Sequence, residues 1–386
     1  MAEPDPRAVD SVVSREQLVA AAQRDFSVGA RVEWRSHDPY DLLLSPFVRR
    51  VPQVSPLAAR LVLQLGKRSG TGLRRLLRVR PHEEPKALAD FLRAAVSLGR
   101  LGEAWPTEHI AELSTRLRHL AVATRTGYGW GLAFPWVSRY LAAAKGEPNI
   151  YTTTAACQAL LDDYEFTGRE ESLQTAVLGT QFIVRELGSF TYEGNSWLRY
   201  SAKADSPIVN IQALASSLLA RVGVAQHDDE LLEAADRAAQ AVIATQRDDG
   251  SWTYSVDGRG DFVDGFHTGF TLEGLVEYAG LRGGDTPTAL DAAVASGFAY
   301  FKEHLFTADG RPRSFADREA SRDGQTLAQA IQTLVICGSR SDIVTAGRIW
   351  RLSDEQGQRA RFLALRWNVA PFALATAYLA RGMKES

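Results

Sequence analysis

Four titratable side chains, Asp257, Asp261, Asp264 and His267, crowd into the stretch DGRGDFVDGFH. If a helix begins at 264, Asp264 and His267 share its first turn, because side chains three apart are neighbours on a helix. A carboxylate placed there orients the imidazole and strengthens it as a base, the arrangement that general acid–base chemistry needs. An aspartate at a helix start is also the preferred N-cap and suits the helix dipole, so a purely structural role has equal chemical sense. Glu273 lies six residues beyond His267, about 120° round the same helix, and does not share its face. A glutamate in an otherwise apolar helix needs a partner or a wet cavity. Asp264, His267, Asp261 and Glu273 are the candidate catalytic residues.

Candidate binding residues surround them. Trp130, Trp136, Tyr200, Trp252 and Tyr254 sit in or beside turns, where aromatic rings suit the apolar C–H faces of sugar rings. Trp252 serves equally well as a wedge between helices. Asn149, Thr153, Asn210, Gln212 and Gln325 offer neutral amides and hydroxyls for sugar hydroxyls, or for capping and bridging helices. Arg313, Arg318, Arg322 and Lys203 are loop cations placed to meet a carboxylate such as that of a uronate, and Arg139 and Arg199 are further binding candidates.

The elements that must position these residues repeat. GSFTY, GSWTY and GRPRSF begin at Gly188, Gly250 and Gly310, and GWGLAFPW begins at Gly129, all spaced by about sixty residues. Before each of the first three comes an amphipathic, one-sidedly charged helix such as DELLEAADRAAQAVIATQ, which reads as an outer layer. After the turns come helices poor in Lys and Arg with small or neutral polar N-terminal ends, starting near 149, 207, 266 and 324. Such helices are buried round most of their circumference and point a polar tip into something wet. The alternation predicts an all-α fold, an (α/α)6 toroid or six-hairpin barrel with short β-like turns, over residues 85–386. Residues 1–84 read as an N-terminal extension wrapping it, with a basic run that suits a solvated or packing face better than nucleic acid.

Composition narrows the function classes. The chain has 386 residues, 45% hydrophobic and 23% charged, with a net charge of −2, so no nucleic-acid-binding field is implied. MAEPDPRAVDSVVSREQL lacks the basic start and apolar run of a secretory signal, and no apolar run is long enough for a bilayer span, so a cytoplasmic protein is expected. Cys157 and Cys337 read as two buried thiols, with a disulfide or metal pair as the alternative. Phosphate-loop, Gly-x-Ser-x-Gly and His-Glu-x-x-His motifs are absent, and a site without metal or cofactor is expected.

QRDDGSW is similar to the Gln-x-x-x-Gly-x-Trp repeat of squalene-cyclase and prenyltransferase toroids, but the Asp-x-Asp-Asp acid motif and the zinc-ligating set of those families are missing. DPYD near Asp38, KRSGTGLRRLLRV from Lys67, PNIYTTTAACQALLDDYEFTG from Pro148 and DGSWTYS with DFVDGFHTGFTLEGLVEY from Asp249 carry a closer likeness. Over most of its length the chain resembles a bacterial family found with capsule and exopolysaccharide biosynthesis genes, within the six-hairpin glycosidase-like and glucuronyl C5-epimerase-like toroids. That resemblance implies an (α/α)6 barrel acting on polysaccharide or its precursors, in association with polysaccharide-assembly proteins. Gly324 and Gln325 depart from the His-Ser-type pair expected at that helix tip. The expectation is therefore a carbohydrate-active enzyme, either a hydrolase or a uronate epimerase or lyase, with an oligosaccharide or small-molecule substrate. A terpenoid-cyclase-like enzyme and a non-catalytic glycan-binding protein are the alternatives.

Overall fold

Two kinds of helix alternate along the chain, distinguished by how much of their circumference is buried. The computed structural model describes residues 13–138, 142–285, 289–355 and 362–385. Helix α1 spans Arg15–Arg31, α2 Pro56–Arg68, α3 Thr71–Leu76, α4 Pro85–Arg100, α5 Thr107–His119, α6 Ile150–Thr167 and α7 Glu170–Gln181. Helix α8 spans Val209–Gln226, α9 Asp229–Ala244, α10 Gly265–Arg282, α11 Ala289–His304, α12 Gly324–Cys337, α13 Arg340–Glu355 and α14 Ala370–Glu385. Among the described residues, α4, α6, α8, α10, α12 and α14 form an inner ring in which each packs on the next and α14 closes on α4. Outside them stand α5, α7, α9, α11 and α13, each on the inner helix preceding it, and α1 on α14. The fold is an (α/α)6 toroid.

Burial explains the layering. Helix α8 buries residues on every side, including Val209, Asn210, Ile211, Gln212 and Ala213 in succession, whereas α9 buries the stripe Leu231, Ala234, Ala235, Ala238, Ala239 and Val242. That three-and-four spacing is the apolar face of a helix wet on its other side. Small residues let the inner ring close: a Cβ on Gly274 of α10 would lie 2.4 Å from the Ala213 carbonyl carbon of α8. The repeated Gly-Ser-Trp turn is packing, since a Cβ on Gly297 would stand 2.3 Å from Trp252 Cζ3. Cys157 and Cys337 are free thiols.

One outer position is filled from the segment read as an extension. Helix α1, capped by the Ser14 and Gln17 capping box, buries Leu18, Ala21, Ala22 and Phe26. No glycine-aromatic turn of the kind that marks the other pairs accompanies it, so the repeat gave no sign of it. The following segment packs on the chain that leads into α14 and α4. Ser36 bridges His82, and Ser36 Oγ accepts from the Leu365 amide at 2.9 Å. Arg74 is fully buried, donating to Asp41 Oδ1 at 2.8 Å and to the carbonyls of Asp38 and Gly66. Among the described residues, three antiparallel hairpins join helices: β1 Val122–Ala123 with β2 Tyr128–Gly129, β3 Trp136–Val137 with β4 Ala142–Ala143, and β5 Ser189–Tyr192 with β6 Asn195–Leu198.

Candidate functional site

The inner helices end, on their N-terminal side, around a cavity of about 590 Å³. Asp264 caps α10: its Oδ1 accepts from the His267 amide at 2.7 Å, and its Oδ2 takes a hydrogen bond from His267 Nδ1, also at 2.7 Å. Both side chains line the cavity. With Nδ1 committed to the carboxylate as a donor, Nε2 is the nitrogen left to act as a base. The ring is held edge-on against Tyr254, centroids 4.7 Å apart, and Tyr254 stacks on Phe262. Burial pushes the Asp264 carboxyl up, but the His267 imidazole and the hydrogen bonds from His267 outweigh it and hold the group below its usual range. Asp264 therefore stays ionised as an orienting anion.

Across the cavity lies a group assembled from the two ends of the chain. Arg366 and Trp367 precede α14, while Asp38, Tyr40 and Lys67 come from the N-terminal segment. Arg366 forms a two-point bond with Asp38, Nε to Oδ2 at 2.7 Å and Nη2 to Oδ1 at 3.0 Å, in a site where Asp38 is 2% exposed. Lys67 stands over the rings of Tyr40 and Trp367 at 5.9 and 5.7 Å, and Trp136 packs edge-on against Tyr40. Tyr151 and Tyr200 line the wall, their phenols pushed well above the ordinary value chiefly by burial. Asp323 caps α12 and also accepts from Trp367 Nε1 at 3.2 Å, while Gln325 Nε2 donates to the Arg366 carbonyl at 3.1 Å. Asn210 lines the cavity with a buried Oδ1 that has no protein partner. Beside this group, burial raises Glu84, the N-cap of α4, to about 8, against an opposing pull from Arg366.

The structure thus brings Asp264, His267, Trp136, Tyr200, Asn210, Tyr254 and Gln325 to one cavity. Other candidates from the sequence stand elsewhere. Asp261 is exposed and paired with Arg247. Glu273 lies within the inner ring, where its Oε1 accepts from Gln329 and from Thr333 Oγ1, and burial raises it to about 8. Trp130 and Trp252 are core residues whose indoles donate to the carbonyls of Leu117 and Val242 at 2.8 and 2.9 Å. Asn149 caps α6, Thr153 bonds the Trp130 backbone, and Gln212 makes a two-way bond with the Leu198 backbone. Arg199 ties down its own loop through Asp205 and the carbonyls of Leu187 and Ser189. Arg322 lines a separate outer hollow. Arg139 lies outside the described residues. The reason for these departures is common to most of them: a polar side chain near a helix start is as useful to an orphaned backbone group as to a ligand.

Another hollow, about 660 Å³, is at the opposite end of the ring. Its charges bind one another, Arg93 and Arg221 both to Asp162, Arg93 to Glu277 and Arg221 to Glu165, which makes it a salt-bridged closure rather than the better site. Arg366, Asp38, Tyr40, Lys67 and Tyr151 were not among the candidates from sequence. No local pattern pairs Asp38 with Arg366 at a separation of 328 residues.

No protein-family model matches the chain, and no curated protein matches it in sequence. Its fold has clear counterparts among solved structures. The cellobiose 2-epimerase from Bacillus thermoamylovorans B4167 matches with a TM-score of 0.61 at 11% identity, over 80% of this chain and 90% of that one. A possible member of the GH105 family from Salmonella enterica serovar Paratyphi A matches with a TM-score of 0.61 at 12% identity, over 97% and 95%. A GH76 alpha-mannanase from Bacteroides thetaiotaomicron matches with a TM-score of 0.59 at 12% identity, over 79% and 86%. These neighbours are carbohydrate-active enzymes of six-hairpin type; at such identities the likeness is one of fold.

Proposed function

We propose that the chain is a carbohydrate-active enzyme that moves a proton on a saccharide, as an epimerase or lyase does, with His267 as the base and Asp264 as its positioning residue. The observation that carries this reading is the Asp264–His267 pair at 2.7 Å on the cavity wall. It leaves an imidazole nitrogen for the substrate, as proton abstraction beside a carbonyl or carboxylate requires. The tyrosine and tryptophan rings suit sugar faces, and the Lys67 ammonium suits a uronate carboxylate. Polysaccharide metabolism is the setting in which such a substrate arises, and it agrees with the carbohydrate chemistry of the structural neighbours.

Hydrolysis by two carboxylates fits less well. Asp264 is engaged with His267, and Asp323 is engaged with Trp367 and the start of α12. The aromatic lining also favours a hydrophobic substrate of the terpenoid-cyclase kind, but cyclisation started by protonation needs an acid facing the cavity, where Asp264 is held ionised and the raised Glu84 is not among the lining residues.

The deciding experiment incubates the protein with neutral and uronic-acid oligosaccharides in D2O and reads deuterium entering carbon positions by NMR. An epimerase puts solvent deuterium on carbon, a lyase leaves an unsaturated uronate, and His267→Ala is expected to abolish either. Release of new reducing ends with neither deuterium on carbon nor an unsaturated uronate would replace this reading with hydrolysis, and no turnover with ligand still bound would replace it with glycan binding alone.

A further inference from the structure

Residues 42–82 hold nine lysines and arginines and no aspartate or glutamate, in a chain whose net charge is −2. Arg74 is buried against Asp41 and Arg60 is half-buried, and the other seven, from Arg49 to Arg80, are exposed. The same stretch carries six of the ten exposed large apolar side chains among the described residues: Phe47, Val54, Leu57, Leu61, Leu65 and Leu76. Leu57, Leu61 and Leu65 are 67, 64 and 55% exposed and recur every fourth residue, so they make one stripe along α2. Ala59, Leu63 and Gly66 on the opposite side are buried and hold the helix to the protein. Arg78 lies over the Phe47 ring at 5.7 Å, joining the flanking turns into the same face.

Leucines standing in water beside cations, with no carboxylate between them, are the pattern of a helix that lies in a lipid interface: the apolar stripe enters the acyl boundary and the cations meet anionic headgroups. We propose that α2 and its flanking turns dock the protein peripherally on an anionic lipid surface. No helix among the described residues is long and apolar enough to cross a membrane. A second copy of the chain on this face would set cations against cations. Nucleic acid would meet the cations but has no use for the leucine stripe, and Phe47 is the single aromatic residue of the stretch, too few for a run of stacked bases. Lys67, on the same helix, lines the 590 Å³ cavity, so docking places the cavity mouth beside the lipid. The face docks whichever reaction the cavity carries.

The test is co-sedimentation of the full chain with phosphatidylcholine vesicles, with and without phosphatidylglycerol, at low and high salt. Binding is expected to be about tenfold or more stronger on the anionic vesicles and to weaken with salt. The variant Leu57→Gln/Leu61→Gln/Leu65→Gln is expected to lose about tenfold or more of that binding with an unchanged circular dichroism spectrum. Equal binding to both vesicles, or none, overturns the proposal. Binding that salt abolishes but the leucine variant keeps overturns it in favour of plain charge adsorption. Self-association in sedimentation velocity that the leucine variant removes overturns it in favour of a dimer face, and single-stranded DNA bound as tightly as vesicles overturns it in favour of nucleic acid.

Discussion

Replacing Asp264 by asparagine separates the orienting role of this side chain from its capping role. Asparagine is as good an N-cap as aspartate, so the Asp264→Asn variant keeps the bond to the His267 amide. What changes is the second bond. A carboxylate Oδ2 accepts from Nδ1–H, whereas an amide NH2 donates, so Nδ1 must become the acceptor and the proton moves to Nε2, the nitrogen needed as base. The stability cost is the loss of one charge-assisted bond between groups whose side chains are 10 and 29% exposed, about 1–2 kcal/mol. For a chain of this size that is a fall in Tm of a few degrees. The catalytic cost is the general-base contribution, about 10²–10⁴-fold in kcat. Because the folded-state carboxyl is held low, its contribution to stability is present above the unfolded pKa of about 3.9 and is lost as pH falls through the lower folded value; the variant lacks that acid limb. Nitrogen-15 NMR of the His267 ring reads the tautomer without any substrate, and deuterium exchange reads the turnover. An unchanged tautomer in Asp264→Asn, or turnover within about tenfold of the parent, would refute the assignment of Asp264 as the residue that orients His267.

Glu273 is raised to about 8 by burial, so its folded-state pKa lies above the unfolded one. Its contribution to stability is full below about pH 4.3 and is lost as pH climbs to 8, as much as about 5 kcal/mol. Glu273→Gln is expected to match the parent near pH 4 and to melt higher at pH 8 to 9, with part of the parent's slope remaining because Glu84 is raised to about 8 as well; parallel Tm-against-pH curves would contradict this. Asp38→Asn leaves the buried Arg366 guanidinium without its two-point partner and is expected to cost about 3–5 kcal/mol in urea denaturation. Trp252→Ala empties the wedge against Gly297 and is expected to cost about 3–5 kcal/mol, while oligosaccharide affinity measured by calorimetry at a temperature well below the melt stays unchanged. Arg322→Ala, outside the cavity, is expected to shift stability by less than about 0.5 kcal/mol and leave turnover unchanged.

The inner helices were legible because their composition differs from that of their neighbours. Starts read near 149, 207, 266 and 324 compare with helices beginning at Ile150, Val209, Gly265 and Gly324. The location of Asp264 and His267 was legible for a local reason, since an aspartate three residues before a histidine at a helix start brings both into one turn wherever that helix goes. The polar and aromatic residues nearby were harder to sort. Trp130, Thr153, Asn149 and Gln212 have the residue types of a sugar site, yet each bonds backbone groups that helix ends and hairpins leave unpaired. Type and sequence position do not distinguish the two uses, because both call for a polar atom near a helix tip.

Periodicity, helix-start chemistry and the cation-rich, carboxylate-free run at 42–82 were properties of the chain itself, since each depends on neighbours in sequence. Which helix tips share a cavity was decided by ring closure, which sets α14 against α4 and brings Asp38 to Arg366 and Lys67 to Trp367. Closure rests on backbone approaches such as Gly274 against Ala213. Contacts of that kind join residues far apart in sequence, and they exist only once the whole ring has packed.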